Sequence, residues 1–185
     1  MATTAPPGEI GSCASDFRLP DVSGRMFTLA DLRGPGGLVV AFICNHCPYV
    51  RSVLPHLVRD ARALRELGIG VVAINSNDAD AYPEDSHAHM REFARAAGFG
   101  FPYLHDQSQH VARAYGAVCT PDFFGFDAQL QLRYRGRLDA SRKDLVADAP
   151  RELYEAMRAI AAGRSPPAPQ FPGMGCSIKW KPPVP

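Results

Sequence analysis

An unbroken apolar run, Gly37-Leu38-Val39-Val40-Ala41-Phe42-Ile43, gives way after four residues to a long helical pattern. No other segment restricts the possible folds as strongly. The run has no polar alternation, so it predicts a strand over 37–43 buried on both faces. Beyond it, Val50, Val53, Leu54, Leu57, Val58, Ala61, Leu64 and Leu67 recur near a 3.6-residue period and predict a helix over 48–67. Pro48 suits the first turn of that helix, where its missing N–H costs nothing. A second apolar run, Ile69 to Asn75, predicts another strand. Between the first strand and the helix stand Cys44, Asn45, His46 and Cys47. Unpaired N–H groups and the positive end of the helix dipole favour an anion at such a junction, and a thiolate is one.

The remaining pattern continues the alternation. Phe17-Arg18-Leu19-Pro20-Asp21 and Met26-Phe27-Thr28-Leu29 flank a Ser23-Gly24 turn and predict a hairpin. Residues 76–85 have loop composition, and Ser86 is placed to cap a helix over 87–97 ended by Gly98. A strand over 101–104, a helix over 108–115, strands over 122–127 and 131–136, and a helix from Arg151 to Ala162 ended by Gly163 complete the expectation. It is an α/β fold with a central mixed sheet flanked by helices, a domain over 1–163 and a proline-rich tail over 164–185. Ile178 and Trp180 in that tail suit docking on the domain, because solvated tails are poor in such residues.

With 46% hydrophobic residues, 21% charged residues and a formal net charge of +1, the chain has dispersed charge and no basic surface for nucleic acid. Its first ten residues lack the features of a secretion signal, and no apolar run approaches a membrane span. The expected setting is cytoplasmic, without membrane or nucleic-acid partners. Five cysteines cannot all pair within one chain. In a reducing compartment they serve as nucleophiles, metal ligands or core residues.

Four segments, in order, resemble the thioredoxin-like superfamily, and within it the peroxiredoxin-related redoxins (the alkyl hydroperoxide reductase and thiol-specific antioxidant family). They are Ala14-Ser15-Asp16-Phe17-Arg18-Leu19-Pro20-Asp21 with Leu29, Leu32 and Gly34; the cysteine segment itself; Tyr115-Gly116-Ala117-Val118-Cys119-Thr120-Pro121-Asp122-Phe123-Phe124; and Tyr134-Arg135-Gly136-Arg137. The resemblance implies a thioredoxin-like fold, a cis peptide bond before Pro121, and a thiol redox activity without an organic cofactor. By the family's spacing from Phe42 and to Pro55, the nucleophile is Cys47. The usual second cysteine falls at Val50, so its role passes upstream to Cys44. Measured against peroxiredoxins, Cys44 replaces a threonine, and Val40 stands where the peroxide-site proline would be. Ala41 lies where thioredoxins carry a buried aspartate. The His-Cys-Pro run is also similar to copper-handling assembly factors, whose second cysteine falls at Arg51.

The expected mechanism is attack of the Cys47 thiolate on a protein disulfide or a peroxide, with reset by an external thiol reductant, thioredoxin-like or glutathione. His46 and Arg51 are placed to add positive potential, and Arg135 and Arg137 to polarise a thiolate or peroxide from the last strand. Cys44 pairs with Cys47 if Asn45-His46 turns, since a turn brings Cα atoms within about 7 Å. Cys119 and Cys176 are the competing resolving thiols, while Thr120 offers its backbone to an extended substrate. Cys13 is a bystander. A Cu(I) site on Cys44, His46 and Cys47 is the alternative of a different class, an inert interaction module a third. His87 and His89 lie about 200° apart around a helix and suit solvent rather than one ion. The oligomeric state is left open.

Overall fold

In a computed structural model, which describes residues 2–182, the run that opened the chain's reading is the middle of a five-stranded sheet. The elements in chain order are β1 (Ala2–Thr4), β2 (Arg18–Pro20), β3 (Met26–Thr28), α1 (Leu29–Leu32), β4 (Gly37–Phe42), α2 (Pro48–Glu66) and β5 (Ile69–Asn75). A short 3-10 turn at Pro83–Asp85 precedes α3 (His87–Ala97), β6 (Tyr103–His105), α4 (His110–Tyr115), β7 (Cys119–Thr120) and β8 (Asp122–Phe126). β9 (Leu132–Gly136), α5 (Glu152–Ala161) and β10 (Met174–Ser177) follow.

The sheet order is β6-β5-β4-β8-β9. β4 runs parallel to β5, with Val40 opposite Val72, and antiparallel to β8, with Val40 opposite Phe124. Because successive side chains point to opposite faces, β4 feeds two cores. Val39 and Ala41 join Val50, Val53, Leu57 and Leu64 of α2 and Leu153, Met157 and Ile160 of α5. Leu38, Val40 and Phe42 join Leu29, Leu32, Val111 and Tyr115 on the other face. This is the mixed sheet with helices on its faces that the sequence predicted. It places the cysteine segment at the carboxyl end of β4, at the mouth between sheet and α2.

Several boundaries differ from expectation for local reasons. Leu67 is the exposed C-cap of α2 rather than part of its buried face. The strand expected over 101–104 begins at Tyr103, and α4 begins at His110 because Gln109 adopts a left-handed φ of 62°. Ser86 occupies the N-cap of α3 without capping it, since its hydroxyl pairs with His89 Nδ1 at 2.8 Å instead. Gly98 closes that helix at φ 68°, the left-handed conformation glycine adopts without a Cβ penalty. The loop over 76–85 is exposed over 80–84 but buried at Ser76, Asn77, Asp78 and Asp85.

A second, three-stranded sheet has the order β1-β10-β7. Neither β1 nor β10 was expected as a strand. In this sheet residues near both ends of the chain lie beside the Cys119–Thr120 strand.

Candidate active site

Cys47 is the N-cap of α2, with φ −69° and ψ 122°, and Pro48 follows in the first turn. The chain bends at Asn45 and His46, so the segment from Cys44 to Cys47 turns instead of running extended. Both thiols then face β7. Cys47 Sγ, as a thiol, donates to Thr120 O at 3.2 Å, and Cys44 Sγ lies 3.3 Å from Thr120 Oγ1. The Thr120–Pro121 peptide bond is cis. Cys47 and Cys119 have no exposed surface, and Cys44 and Thr120 have almost none. All five cysteines are free thiols in this structure.

The Cys47 thiol is held well below the ordinary range, at about 5. The largest cause is hydrogen bonding from the Cys44 thiol, against which burial works in the opposite direction. The nearby Cys176 side chain and backbone and the Val50 backbone lower the Cys47 thiol further. The neighbouring Cys47 first, and then burial, push the Cys44 thiol up. A donor thiol beside an acceptor thiolate splits the two titrations apart, each stabilising the other's protonation state.

The expected sources of positive potential are otherwise employed. His46 Nδ1 lies 2.8 Å from Asp85 Oδ2 and its ring stacks on Tyr82. Arg51 Nε donates to Asn45 O at 2.9 Å. Arg135 is buried on Asp122 and on Gly116 O, at 2.9 and 2.7 Å, and Arg137 grips Glu152 through two bonds. At the helix end Cys47 makes no side-chain capping bond, and the Val50 backbone is the smallest of the influences that lower it. Neighbouring sulfurs do the work that the sequence assigned to cations.

Cys176 is brought to Cys47 by β10, in which Cys176 is the register partner of Thr120. Burial first, then the adjacent Cys47, raises its thiol to about 11. Cys119 is raised to about 12 by burial and by Asp122. Cys13 is exposed and stands beside Gln131, away from this group.

Sequence reading missed the polar scaffold that holds the turn. Asp85, wholly buried, accepts from Asn45 N at 2.8 Å, Asn75 Nδ2 at 3.1 Å and Asn77 Nδ2 at 2.7 Å. Tyr103 donates from its hydroxyl to Asn45 Oδ1 at 2.9 Å. In sequence Asp85 sits in Pro-Glu-Asp-Ser, which reads as solvated loop, and nothing local distinguishes it. Among the described residues, Cys44, His46 and Asp85 have donor atoms within 4.8 Å of one another. Asp85 is already engaged by three N–H donors and by His46 Nδ1, and a hard carboxylate suits Cu(I) poorly. His87 and His89 take separate backbone partners, Asp21 O and Pro83 O.

Comparison with known proteins places this geometry. The AhpC/TSA family model matches residues 10–135. The thiol-disulfide oxidoreductase ResA of Geobacillus thermodenitrificans (strain NG80-2) is 28% identical over 118 residues, covering 64% of this chain and 63% of that protein. The chain thus spans somewhat less than two thirds of the ResA length. A putative peroxiredoxin, MT2597 of Mycobacterium tuberculosis (strain CDC 1551 / Oshkosh), is 27% identical over 74% of this chain and 82% of its own length. A crystal structure of an uncharacterized conserved protein from Geobacillus kaustophilus superposes with a TM-score of 0.95 at 44% identity, over 100% of this chain and 98% of that one. Thioredoxin-like structures of lower identity share the fold, with TM-scores of 0.58 and 0.61. The chain belongs to the AhpC/TSA family and has a thioredoxin-like fold.

Proposed function

We propose that this member of the AhpC/TSA family is a thiol–disulfide oxidoreductase with Cys47 as its nucleophile. One observation carries the reading: the Cys47 sulfur sits at the start of α2 against the cis Thr120–Pro121 bond, with the Cys44 sulfur on the same threonine. The thiolate attacks one sulfur of a disulfide, forms a mixed disulfide and expels the other sulfur as a thiol. A neighbouring thiol, Cys44 or Cys176, then attacks Cys47 Sγ, releases the second substrate thiol and leaves an internal disulfide. An external thiol reductant restores the dithiol. The ResA relatives, named for this activity, support the reaction class.

Peroxide chemistry is the weaker reading for this chain. Val40 and Ala41 are buried apolar residues of β4, and Arg135 and Arg137 are committed to Asp122 and Glu152. Neither of these two arginines is then left to polarise a peroxide oxygen. A reducing, cytoplasmic setting belongs to the same proposal, and an odd set of cysteines is compatible with it. No helix among the described residues is long and apolar enough to cross a membrane.

The test is the ultraviolet absorbance of the thiolate followed against pH. Wild-type protein is expected to lose one thiolate as pH falls through about 5, a step missing in Cys47→Ser. If absorbance in wild type rises only near pH ~8.5, as for ordinary thiols, the proposal is wrong.

A further inference from the structure

The second sheet puts a strand of this chain where an added strand would lie. β7 has two residues, Cys119 and Thr120, and is paired along one edge by β10, with Cys176 opposite Thr120 and Ser177 opposite Cys119. β1 covers the far edge of β10, with Ala2 opposite Cys176. An extended polypeptide approaching Cys47 by main-chain pairing with Thr120 would need the edge that β10 holds. Such a strand would also need its own cysteine opposite Thr120, and β10 presents Cys176 there.

The strand is fastened on both sides of the site. Before it, Ala5 N donates to Gly173 O at 2.8 Å. After it, Ile178 N donates to Val118 O at 3.0 Å and Ile178 is buried in the core. Lys179 N donates to Asn77 Oδ1, linking the segment to the Asp85 scaffold, and Lys179 O accepts from Asp78 N. Trp180 lies under the Arg113 guanidinium. Displacing β10 breaks these contacts together.

Resting on the nucleophile reading above, we propose that β10 is a tethered occupant of the substrate-strand position and that Cys176 is the thiol that resolves Cys47. The enzyme therefore favours small disulfides over extended polypeptide disulfides: Cys47 is fully covered while β10 is docked, and a small disulfide needs the smaller opening to reach it. The Cys47 thiolate attacks a small disulfide R–S–S–R, forming Cys47–S–S–R and expelling RS⁻, which takes a proton from water. Cys176 loses its proton to solvent and attacks Cys47 Sγ, expelling the second RS⁻ and leaving a Cys47–Cys176 disulfide. Two protein thiols are oxidised and one disulfide is reduced to two thiols.

Chemistry favours Cys176 over Cys44 for the second step. Both thiols are raised in part by the adjacent Cys47, an influence that vanishes once that sulfur is in a mixed disulfide. Cys44 then still faces Asp85 from a fully covered position, whereas Cys176 is half-buried and has Lys179 to favour its thiolate.

Gly175 supplies the test. It approaches β7 so closely that a Cβ there would overlap the Thr120 carbonyl oxygen and crowd Pro121 N. Gly175→Ala therefore lifts β10, and Cys176 with it, off the site while keeping all five cysteines in the chain. Full-length wild-type, Cys44→Ser, Cys176→Ser and Gly175→Ala proteins are oxidised with cystamine, and their disulfides are mapped by mass spectrometry. The same proteins are assayed for reduction of insulin disulfides with dithiothreitol as reductant. Expected are a Cys47–Cys176 link in wild type and in Cys44→Ser, and arrest of Cys176→Ser as a Cys47–cysteamine mixed disulfide. Insulin reduction is expected to rise about tenfold or more in Gly175→Ala, as a closed site becomes an open one. A Cys44–Cys47 link in wild type, with normal turnover of Cys176→Ser, overturns the assignment of Cys176. Equal insulin reduction by wild type and a folded Gly175→Ala overturns the occupancy. The mapping arm uses the wild-type fold and stands even if Gly175→Ala does not fold. Failure of the nucleophile reading has a different signature: Cys47 stays unmodified in all four proteins.

Discussion

Cys47→Ser is expected to reduce thiol–disulfide exchange to background, a loss on the order of 10³-fold or more, because a serine hydroxyl stays protonated where the thiol does not. The fold should survive the change. A hydroxyl at that position retains Thr120 O as acceptor, 3.2 Å from the present sulfur, so the buried polar group keeps a partner. Single-turnover reaction with a small disulfide measures the effect, and retained reactivity in the serine variant would remove Cys47 from the mechanism. A companion variant separates nucleophile from activator. Since the Cys44 thiol is the largest influence holding Cys47 low, Cys44→Ala should move the Cys47 titration upward toward the ordinary thiol range. Each unit of that movement costs about tenfold in thiolate at pH below both values, and the loss should disappear at alkaline pH. A rate deficit independent of pH would mean that Cys44 acts through packing alone.

Arg135→Met is expected to destabilise the protein by about 3–5 kcal/mol at neutral pH, the range for stranding one charge of a buried pair. The pair is Arg135 Nη2 with Asp122 Oδ2 at 2.9 Å, in the strands that follow the Thr120–Pro121 bond. Burial outweighs the arginine here and lifts Asp122 from 3.8 to about 6. A carboxyl raised on folding binds its proton more tightly in the native state than in the unfolded chain. Its contribution therefore favours folding at low pH and is lost as pH rises from about 4 through about 6. Without Arg135 the native carboxyl rises further and the window shifts upward. The variant should be most destabilised at slightly alkaline pH and should approach wild type as pH falls. Denaturant unfolding of both proteins at acid and alkaline pH reads this directly. A stability gap that does not change with pH would exclude Asp122 titration as its source.

Local pattern carried much of the architecture. The buried strand over 37–42 and the helix starting at Pro48 follow from an apolar run and a 3.6-residue period, because side-chain periodicity is set by backbone geometry wherever the element ends up. Cys47 at the helix start was legible for the same reason, since a strand–helix junction places its residues at the dipole's positive end. The thiolate's real environment was not. His46 and Arg51 are neighbours of Cys47 in sequence, yet each is held by another group. The influences that matter come from Cys44 across a turn and from Cys176, 129 positions later.

The same division runs through the tail and the loops. Met174-Gly175-Cys176-Ser177 has weak strand propensity and no alternation. It is a strand because β7 and β1 present edges to it, and edges are properties of the folded chain. Asp85 reads as a loop acid and becomes a buried hub only because Asn45, Asn75 and Asn77 converge on it from separate segments. By itself the sequence determined which residues form the central sheet, which helix follows it and which cysteine stands at their junction, because these depend on near neighbours. Tertiary structure alone decided what that cysteine touches, which thiol can answer it and what covers the site, because those contacts exist only after distant segments pair.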